Sequence, residues 1–298
     1  MLLRVKKLST TKEQVQMGGG KNPSATDSTS VVVFRVSITR TAEDVLPWNT
    51  LMFEIWQNGK KQNEIIQKSE DESFGTASVE LKQGVYQVLV LGHSSTGNPS
   101  REDATTVTFT KDNGYSDVFY SYGDITVGTV SEEHEIVMQR ATSMVRFTTK
   151  DTIPEKVKSI RLLYSGGSTS LNVKTGYGFP ENKSQNVFFD VADSMRGKPL
   201  YVDLFTFKRE KVDSLELIVT AYTTPRNAET IKEFKSRTLM VPIKHHEITE
   251  CSGYFFTDGK DDSGDGGNNN GGDGSGGINA SFSIVVDTAW AGTNYYSY

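Results

Sequence analysis

The sequence contains a single cysteine, Cys251, among its 298 residues. One thiol cannot form an intramolecular disulfide, and it cannot supply a zinc site built from several thiolates. The chain also lacks a long apolar run, and residues 1–17 predict neither a signal peptide nor a membrane-spanning helix. Stability is therefore expected to come from a buried apolar core, and Cys251 is predicted to be a small buried member of it.

Basic clusters interleaved with aromatic residues are also missing, and the formal net charge of −5 argues against nucleic acid as a partner. No serine lies in a GxSxG elbow. The only adjacent histidines, His245 and His246, are poor candidates for one metal ion, because neighbours on a strand point to opposite faces. The sequence thus predicts no catalytic centre, no metal and no cofactor, and we expect a protein that is not an enzyme.

What the sequence does contain is a series of short segments that alternate apolar and polar residues, the pattern of β-strands. The first clear one is Val31–Thr39, and Leu51–Trp56 alternates again before Asn58-Gly59, a strong type I′ hairpin signal. Gly166-Gly167 predicts a further hairpin turn. Residues 212–217 also admit a weaker helical interpretation. Many short strands with turns between them and no sustained 3.6-residue period predict an all-β fold of two sandwiches in tandem.

The predicted strands follow one another almost without a linker over Glu135–Thr149, which places a domain boundary near Arg140. The predicted division is a loose N-terminal arm over residues 1–29, an N-terminal sandwich over 30–139, a C-terminal sandwich over 140–257, a flexible linker over 258–277 and a C-terminal strand with its tail over 278–298.

The C-terminal segment predicts a mobile strand. Residues 258–277 consist almost entirely of Gly, Asp, Asn and Ser, so they have little to bury and are expected to be a solvated, flexible linker. The strand that follows carries apolar residues of one parity: Ile278, Ala280, Phe282, Ile284, Val286 and Trp290. Such a strand is expected to add to an exposed sheet edge. Docking onto a partner subunit and permanent docking onto its own C-terminal sandwich both fit this pattern.

Four stretches resemble a known family: DVFYSYGDITV (117–127), VMQRATSMVRF (137–147), IPEKVKSIRLLYSGGSTSLNVKTGYG (153–178) and VPIKHHEITECSGYFFTDG (241–259). In this order they are similar to the fimbrillin-associated anchor and pilin superfamily of the type V pili of Bacteroidales. The resemblance implies two transthyretin-like β-sandwich domains, a lipoprotein displayed at the outer membrane, and assembly or anchoring of fimbriae by β-strand exchange.

The same resemblance implies a maturation step and a set of partners. In shaft pilins a protease cuts at a loop arginine after the first strand and opens an apolar groove; Arg40 is the candidate here. The implied partners are other fimbrial subunits, either copies of this chain or different ones, together with a host or bacterial surface ligand. A lipid anchor to the outer membrane is implied as well, but the only cysteine lies in a predicted strand, so the anchor is not visible in this chain.

Three functions follow as hypotheses. The first is a non-enzymatic structural or adhesive subunit of surface fimbriae. The second is a carbohydrate-binding outer-membrane surface lipoprotein, which needs exposed aromatic residues grouped on one face. The candidates for that face are Trp48, Trp56, Tyr120, Tyr122, Tyr295, Tyr296 and Tyr298. The third is a hydrolase with β-sandwich accessory domains, for which the predicted sandwiches leave no catalytic domain.

Overall fold

The computed structural model describes residues 4–7, 29–36, 47–180, 184–257 and 282–287. Within these ranges the secondary structure is β-strand throughout, apart from one 3-10 turn. The first eleven strands are β1 (Arg4–Lys7), β2 (Thr29–Val36), β3 (Thr50–Gln57), β4 (Lys60–Lys68), β5 (Thr76–Lys82), β6 (Gly84–His93), β7 (Ser100–Arg101), β8 (Thr106–Thr108), β9 (Val118–Val127), β10 (Glu132–Ile136) and β11 (Gln139–Arg140).

The other nine strands are β12 (Ser143–Thr152), β13 (Ser159–Ser165), β14 (Ser170–Asn172), β15 (Gln185–Asp190), β16 (Pro199–Thr206), β17 (Ser214–Tyr222), β18 (Glu233–Pro242), β19 (Ile248–Gly253) and β20 (Phe282–Asp287), and the 3-10 turn is Asp193–Met195. The predicted all-β sandwich fold is confirmed. The helical interpretation of residues 212–217 is wrong, because β17 begins at Ser214.

These strands belong to two compact units. Unit 1 comprises the described residues up to Ala141 together with Ser170–Gly176, and unit 2 comprises Thr142–Thr169 and the described residues from Tyr177 onward. The sequence placed the boundary between residues 139 and 140 and did not anticipate that Ser170–Gly176 belongs to unit 1. The division into separate domains stays a prediction.

Unit 1 is a sandwich of a four-stranded sheet, in the order β1-β10-β2-β5, and a five-stranded sheet, in the order β11-β9-β6-β3-β4. Alternate residues of β2 point inward: Val32, Phe34 and Val36 are buried in a core that also contains Phe53 of β3 and Val90 of β6. The apolar parity seen in the sequence therefore corresponds to the inner face of the sheet. A small third sheet, β14-β8-β7, also includes the strand from residues 170–172.

Unit 2 is a sandwich of two four-stranded sheets, β16-β12-β19-β20 and β15-β13-β17-β18. Its core is formed by inward-facing residues of both sheets, among them Phe147 of β12, Leu162 of β13, Leu217 of β17 and Cys251 of β19. Cys251 is fully buried, so its predicted place in the core is confirmed.

The two units share one strand order. In unit 1, β2 pairs with β5 and runs parallel to β10, while β4, β3, β6 and β9 follow one another in the second sheet. In unit 2, β12 pairs with β16 and runs parallel to β19, while β15, β13, β17 and β18 follow one another in the second sheet. In both units one more antiparallel strand covers the outer edge of the last core strand: β1 covers β10, and β20 covers β19.

The turn predictions had mixed outcomes. Asn58 and Gly59 both have positive φ, 51° and 72°, so the type I′ hairpin between β3 and β4 is confirmed. The hairpin predicted at Gly166-Gly167 is wrong: Gly166 does turn the chain at φ 102°, but the strand that follows pairs with β8 and not with β13. The loose arm predicted over residues 1–29 is also wrong in part, because Arg4–Lys7 form β1.

Candidate functional site: two covered sheet edges

The predicted docking strand is placed on the molecule's own unit 2. β20 runs antiparallel to β19, and the register sets Phe282 opposite Gly253, Ile284 opposite Cys251, and Val286 opposite Thr249. Gly253, Cys251 and Thr249 are the alternate residues of β19 that are buried. The apolar residues of one parity in β20 therefore stand opposite buried residues of β19.

The edge that β20 occupies is the outer side of β19, whose inner side is paired in parallel with β12. A parallel pair leaves the other row of backbone N–H and C=O groups available to an added strand.

Burial raises the pKa of the Cys251 thiol to about 12, so this residue serves the core and is not a nucleophile at neutral pH.

The remaining predicted docking residues, Ile278, Ala280 and Trp290, lie outside the described residues, and so does the predicted cleavage residue Arg40. Cleavage there would release β1 and β2, both of which are described. β2 lies between β10 and β5, and its Phe34 is fully buried in the core of unit 1. A strand in this position fills a slot one strand wide, with partners along both of its edges.

The first strand of the chain, β1, was not predicted from the sequence. It pairs with β10 in a four-residue register that sets Arg4 opposite Glu135, Lys6 opposite Glu133 and Lys7 opposite Glu132. Four residues are too few to show an alternating pattern. The signal that was available is the charge: a basic RVKK segment and an acidic EEHEI segment have complementary cross-strand partners.

Two carboxylates of β10 lie close to side chains of the same sheet. Glu133 accepts from Arg35 of β2, with 3.1 Å between Nε and Oε1. Glu132 lies 3.6 Å from Nε2 of His134, whose ring stacks on Phe34 with centroids 5.8 Å apart. Burial lowers the pKa of His134, and Glu132 opposes that effect only in part. His134 therefore belongs to the core side of the strand, whereas Glu133 is on the solvent side.

The adjacent histidines differ from their prediction. His245 and His246 lie not on a strand but in the turn between β18 and β19, where His246 has a φ of 62°. Their ring centroids are 3.6 Å apart, and His245 stacks on Tyr177 at 4.1 Å. Neighbours in such a turn do not alternate across a sheet, so the expectation of opposite faces was wrong. In the described part of the chain, no group of three or more His, Cys, Asp or Glu residues is placed to hold a metal ion.

Of the aromatic residues considered for sugar stacking, Trp48, Trp56 and Tyr120 are buried and Tyr122 is half-buried. The other three, Tyr295, Tyr296 and Tyr298, lie outside the described residues. Trp56 Nε1 donates to Oε2 of Glu54 at 2.9 Å, and Arg101 places its Nε 3.2 Å from the same oxygen. The indole N–H of Trp56 is therefore engaged in an internal contact.

The chain is thus all-β, with two sandwich units and one further strand at the same edge of each. Residues 26–295 match a family of unknown function, DUF6562, and the chain belongs to that family. No curated protein sequence matches it.

Several solved structures are similar at low identity. A candidate adhesin from Bacteroides ovatus is 12% identical with a TM-score of 0.49, covering 76% of this chain and 88% of its own. A candidate cell adhesion protein from Bacteroides eggerthii is 9% identical with a TM-score of 0.47, covering 89% of this chain and 97% of its own. The fimbrial anchor protein Mfa2 from Porphyromonas gingivalis is 12% identical with a TM-score of 0.40, covering 76% and 91%.

Proposed function

We propose that this protein is a non-enzymatic structural or adhesive component of surface fimbriae, and that its subunits assemble by exchange of the terminal strand β20. The observation that carries the proposal is the pairing of β20 along the outer edge of β19, with residues 254–281 between the two strands in the sequence. Because this connection is long, no tight turn fixes β20, and the strand is held by its contacts along the edge of β19.

The same contacts are available between copies. If β20 leaves its own β19, the identical edge of a neighbour offers the same backbone hydrogen bonds and the same buried positions, which is the basis of strand swapping. Pairing within one chain is favoured at low concentration, because the connection gives the strand a high effective concentration at its own edge. In this proposal the self-paired strand is the resting form, and exchange builds the fimbria.

Cleavage at Arg40 is part of the proposal as an opening step. Cleavage there would release β1 together with β2, would leave β10 and β5 without these partners, and would expose the positions that Val32, Phe34 and Val36 now fill in the core. An incoming strand with apolar residues at every second position matches such a slot. β20 carries that pattern in Phe282, Ile284 and Val286.

Display at the cell surface, a lipid anchor and a surface ligand come from the family resemblance and are likewise proposed. In the described ranges, no helix has the length and apolar character required to cross a bilayer. The carbohydrate-binding alternative needs aromatic rings grouped at the surface, and Trp48, Trp56 and Tyr120 are buried. We therefore favour the fimbrial function.

An Ile284→Asp variant tests the proposal. Its register position faces the buried Cys251, so a charge there should detach β20, destabilise the isolated chain by about 2 kcal/mol and abolish assembly. Thermal unfolding and size-exclusion chromatography at rising concentration measure the two effects.

The matched control is Ser283→Asp, one residue away and opposite the half-buried Ser252. It should keep both the melting midpoint and assembly. An Ile284→Asp chain that melts normally and still assembles would refute docking of β20 both within a chain and between chains.

A further inference from the structure

The two covered edges have opposite chemical character. At β10, three of the four register pairs with β1 join a basic residue to a glutamate: Arg4 with Glu135, Lys6 with Glu133 and Lys7 with Glu132. At β19, the six register pairs with β20 contain no basic residue on either strand. Opposite charges directly across an antiparallel pair stabilise it, and like charges destabilise it. The glutamates of β10 at this edge are thus matched in register by basic residues.

One carboxylate of β10 is positioned without β1, because Glu133 is bound by Arg35 on the β2 side. The side chains of Glu133 and Glu132 remain 23% and 18% exposed. Without β1 the sheet would end in an acidic row with unpaired backbone groups, which is a template for a basic extended segment.

We infer that the outer edge of β10 is a second strand-docking site, specific for a basic extended segment, and that its occupant between molecules is β1 of a second copy of this chain. β1 contributes only a four-residue ladder, and residues 8–28 separate it from β2 in the sequence. A flexible chain of 21 residues would span about 25 Å, enough to reach an adjacent copy. Reciprocal exchange forms the same register pairs twice and closes a two-fold dimer.

This contact belongs to the uncleaved chain, since cleavage at Arg40 would release β1 together with β2, and it does not depend on exchange of β20. β20 has the sequence FSIVVD, so it lacks the basic residues that stand opposite the glutamates at the outer edge of β10. β1 has three basic residues in four and cannot supply the apolar positions required at β19. In the uncleaved chain the outer edges of β10 and β19 thus each discriminate against the other's strand.

Two full-length variants, Lys6→Cys and Glu133→Cys, test the exchange when they are mixed. Residues directly opposed in an antiparallel pair have Cα atoms about 4.5 to 5.5 Å apart, which suits a disulfide. Mild oxidation of the mixture should give an interchain disulfide dimer whose yield rises with protein concentration, as seen on a non-reducing gel. Cys251 is buried in both variants and should not react.

The matched control replaces the acceptor by Glu80→Cys, an exposed position on β5, which is the far edge strand of the same sheet. It should give no dimer above background. A single chain with both Lys6→Cys and Glu133→Cys should form an intrachain disulfide when dilute, because β1 then occupies its own edge.

Charge specificity is tested at the neighbouring pair. Lys7→Glu in the Lys6→Cys chain should lower the yield of interchain disulfide roughly threefold, and Glu132→Lys in the Glu133→Cys chain should restore it. The inference is overturned if the mixed variants give no more dimer than the Glu80→Cys control. It is also overturned if the yield of interchain disulfide stays the same when Lys7→Glu and Glu132→Lys are introduced. β19 and β20 are unchanged in these chains, so that result would leave the proposed function standing.

Discussion

His93 shows how burial sets the behaviour of single residues in unit 1. Its side chain is fully buried at the end of β6, packs edge-on against Phe109 with ring centroids 5.6 Å apart, and accepts a hydrogen bond at Nδ1 from the backbone N–H of Ser95 at 3.2 Å. Burial, followed by the nearby charge of Lys68, lowers the pKa of His93 to about 4. A protonated ring would lose that hydrogen bond and leave a charge in the interior.

Stability should therefore fall on acidification. An unfolded histidine titrates near pH 6.5, so between about pH 6.5 and 4 the unfolded chain binds a proton that native His93 does not. Stability is fully present above pH 6.5 and should decrease by on the order of 3 kcal/mol by pH 4. His134, whose pKa is also lowered by burial, acts in the same direction.

Urea unfolding at pH 7 and pH 4.5 measures this effect, with His93→Gln as the comparison. The variant should lose part of its stability at pH 7 and show a clearly smaller difference between the two pH values. The same pH dependence in the variant and the native chain would contradict the assignment of the effect to His93.

The sequence predicted the environment of a single residue correctly where burial determines it, and wrongly where local backbone geometry determines it. Cys251 was predicted to be buried because nothing near it suggested reactivity, and it is buried. The histidine pair was misjudged because a strand was assumed, whereas His246 adopts a left-handed turn conformation at φ 62°. A single non-glycine residue with positive φ, such as His246, leaves no periodic pattern in the sequence from which it could be predicted.

At the scale of the strand, alternation and turn residues predicted most of the fold. Asn58-Gly59 predicted the β3–β4 hairpin. Pro242 is the last residue of β18, an edge strand of its sheet, where a missing N–H is tolerated. Pairing between distant segments was harder. β14 follows a Gly-Gly turn that suggests a hairpin, yet it pairs with β8, more than sixty residues earlier. Which edges meet depends on packing that local patterns do not encode.

That long-range pairing gives a prediction for β14. Leu171 is fully buried and stands opposite Val107, which is also fully buried, so Leu171→Ala should destabilise unit 1 by about 2 to 5 kcal/mol although it lies beyond unit 1 in the sequence. Tryptophan fluorescence is a suitable probe, because both described tryptophans, Trp48 and Trp56, are in unit 1.

Leu162→Ala, at an equally buried position in the core of unit 2, is the control. It should lower the stability of unit 2 and change the tryptophan-monitored transition less. If the Leu171→Ala variant has the same denaturant midpoint in the tryptophan-monitored transition as the native chain, β14 is not an integral part of unit 1.

At the scale of the whole molecule, the two units have the same strand order, and in each unit an added antiparallel strand covers the corresponding sheet edge. β10 and β19 are each the outer core strand beside a parallel neighbour, and each is covered by an antiparallel strand that is distant from it in the sequence. The sequence predicted that the terminal strand adds to a sheet edge but did not predict the matching arrangement of β1, since a four-residue basic segment has no apolar period. A protein with two such edges is suited to repeated strand addition.

The central claim is that β20 passes between molecules, and cysteines at the register pair Ser252 and Ser283 test it most directly. A chain with both substitutions should form an intrachain disulfide when dilute. An equimolar, concentrated mixture of Ser252→Cys and Ser283→Cys chains should form an interchain disulfide in the assembled fraction. If the double variant forms only the intrachain disulfide and the mixture yields no interchain product at any concentration, β20 is a fixed edge strand and the account is contradicted.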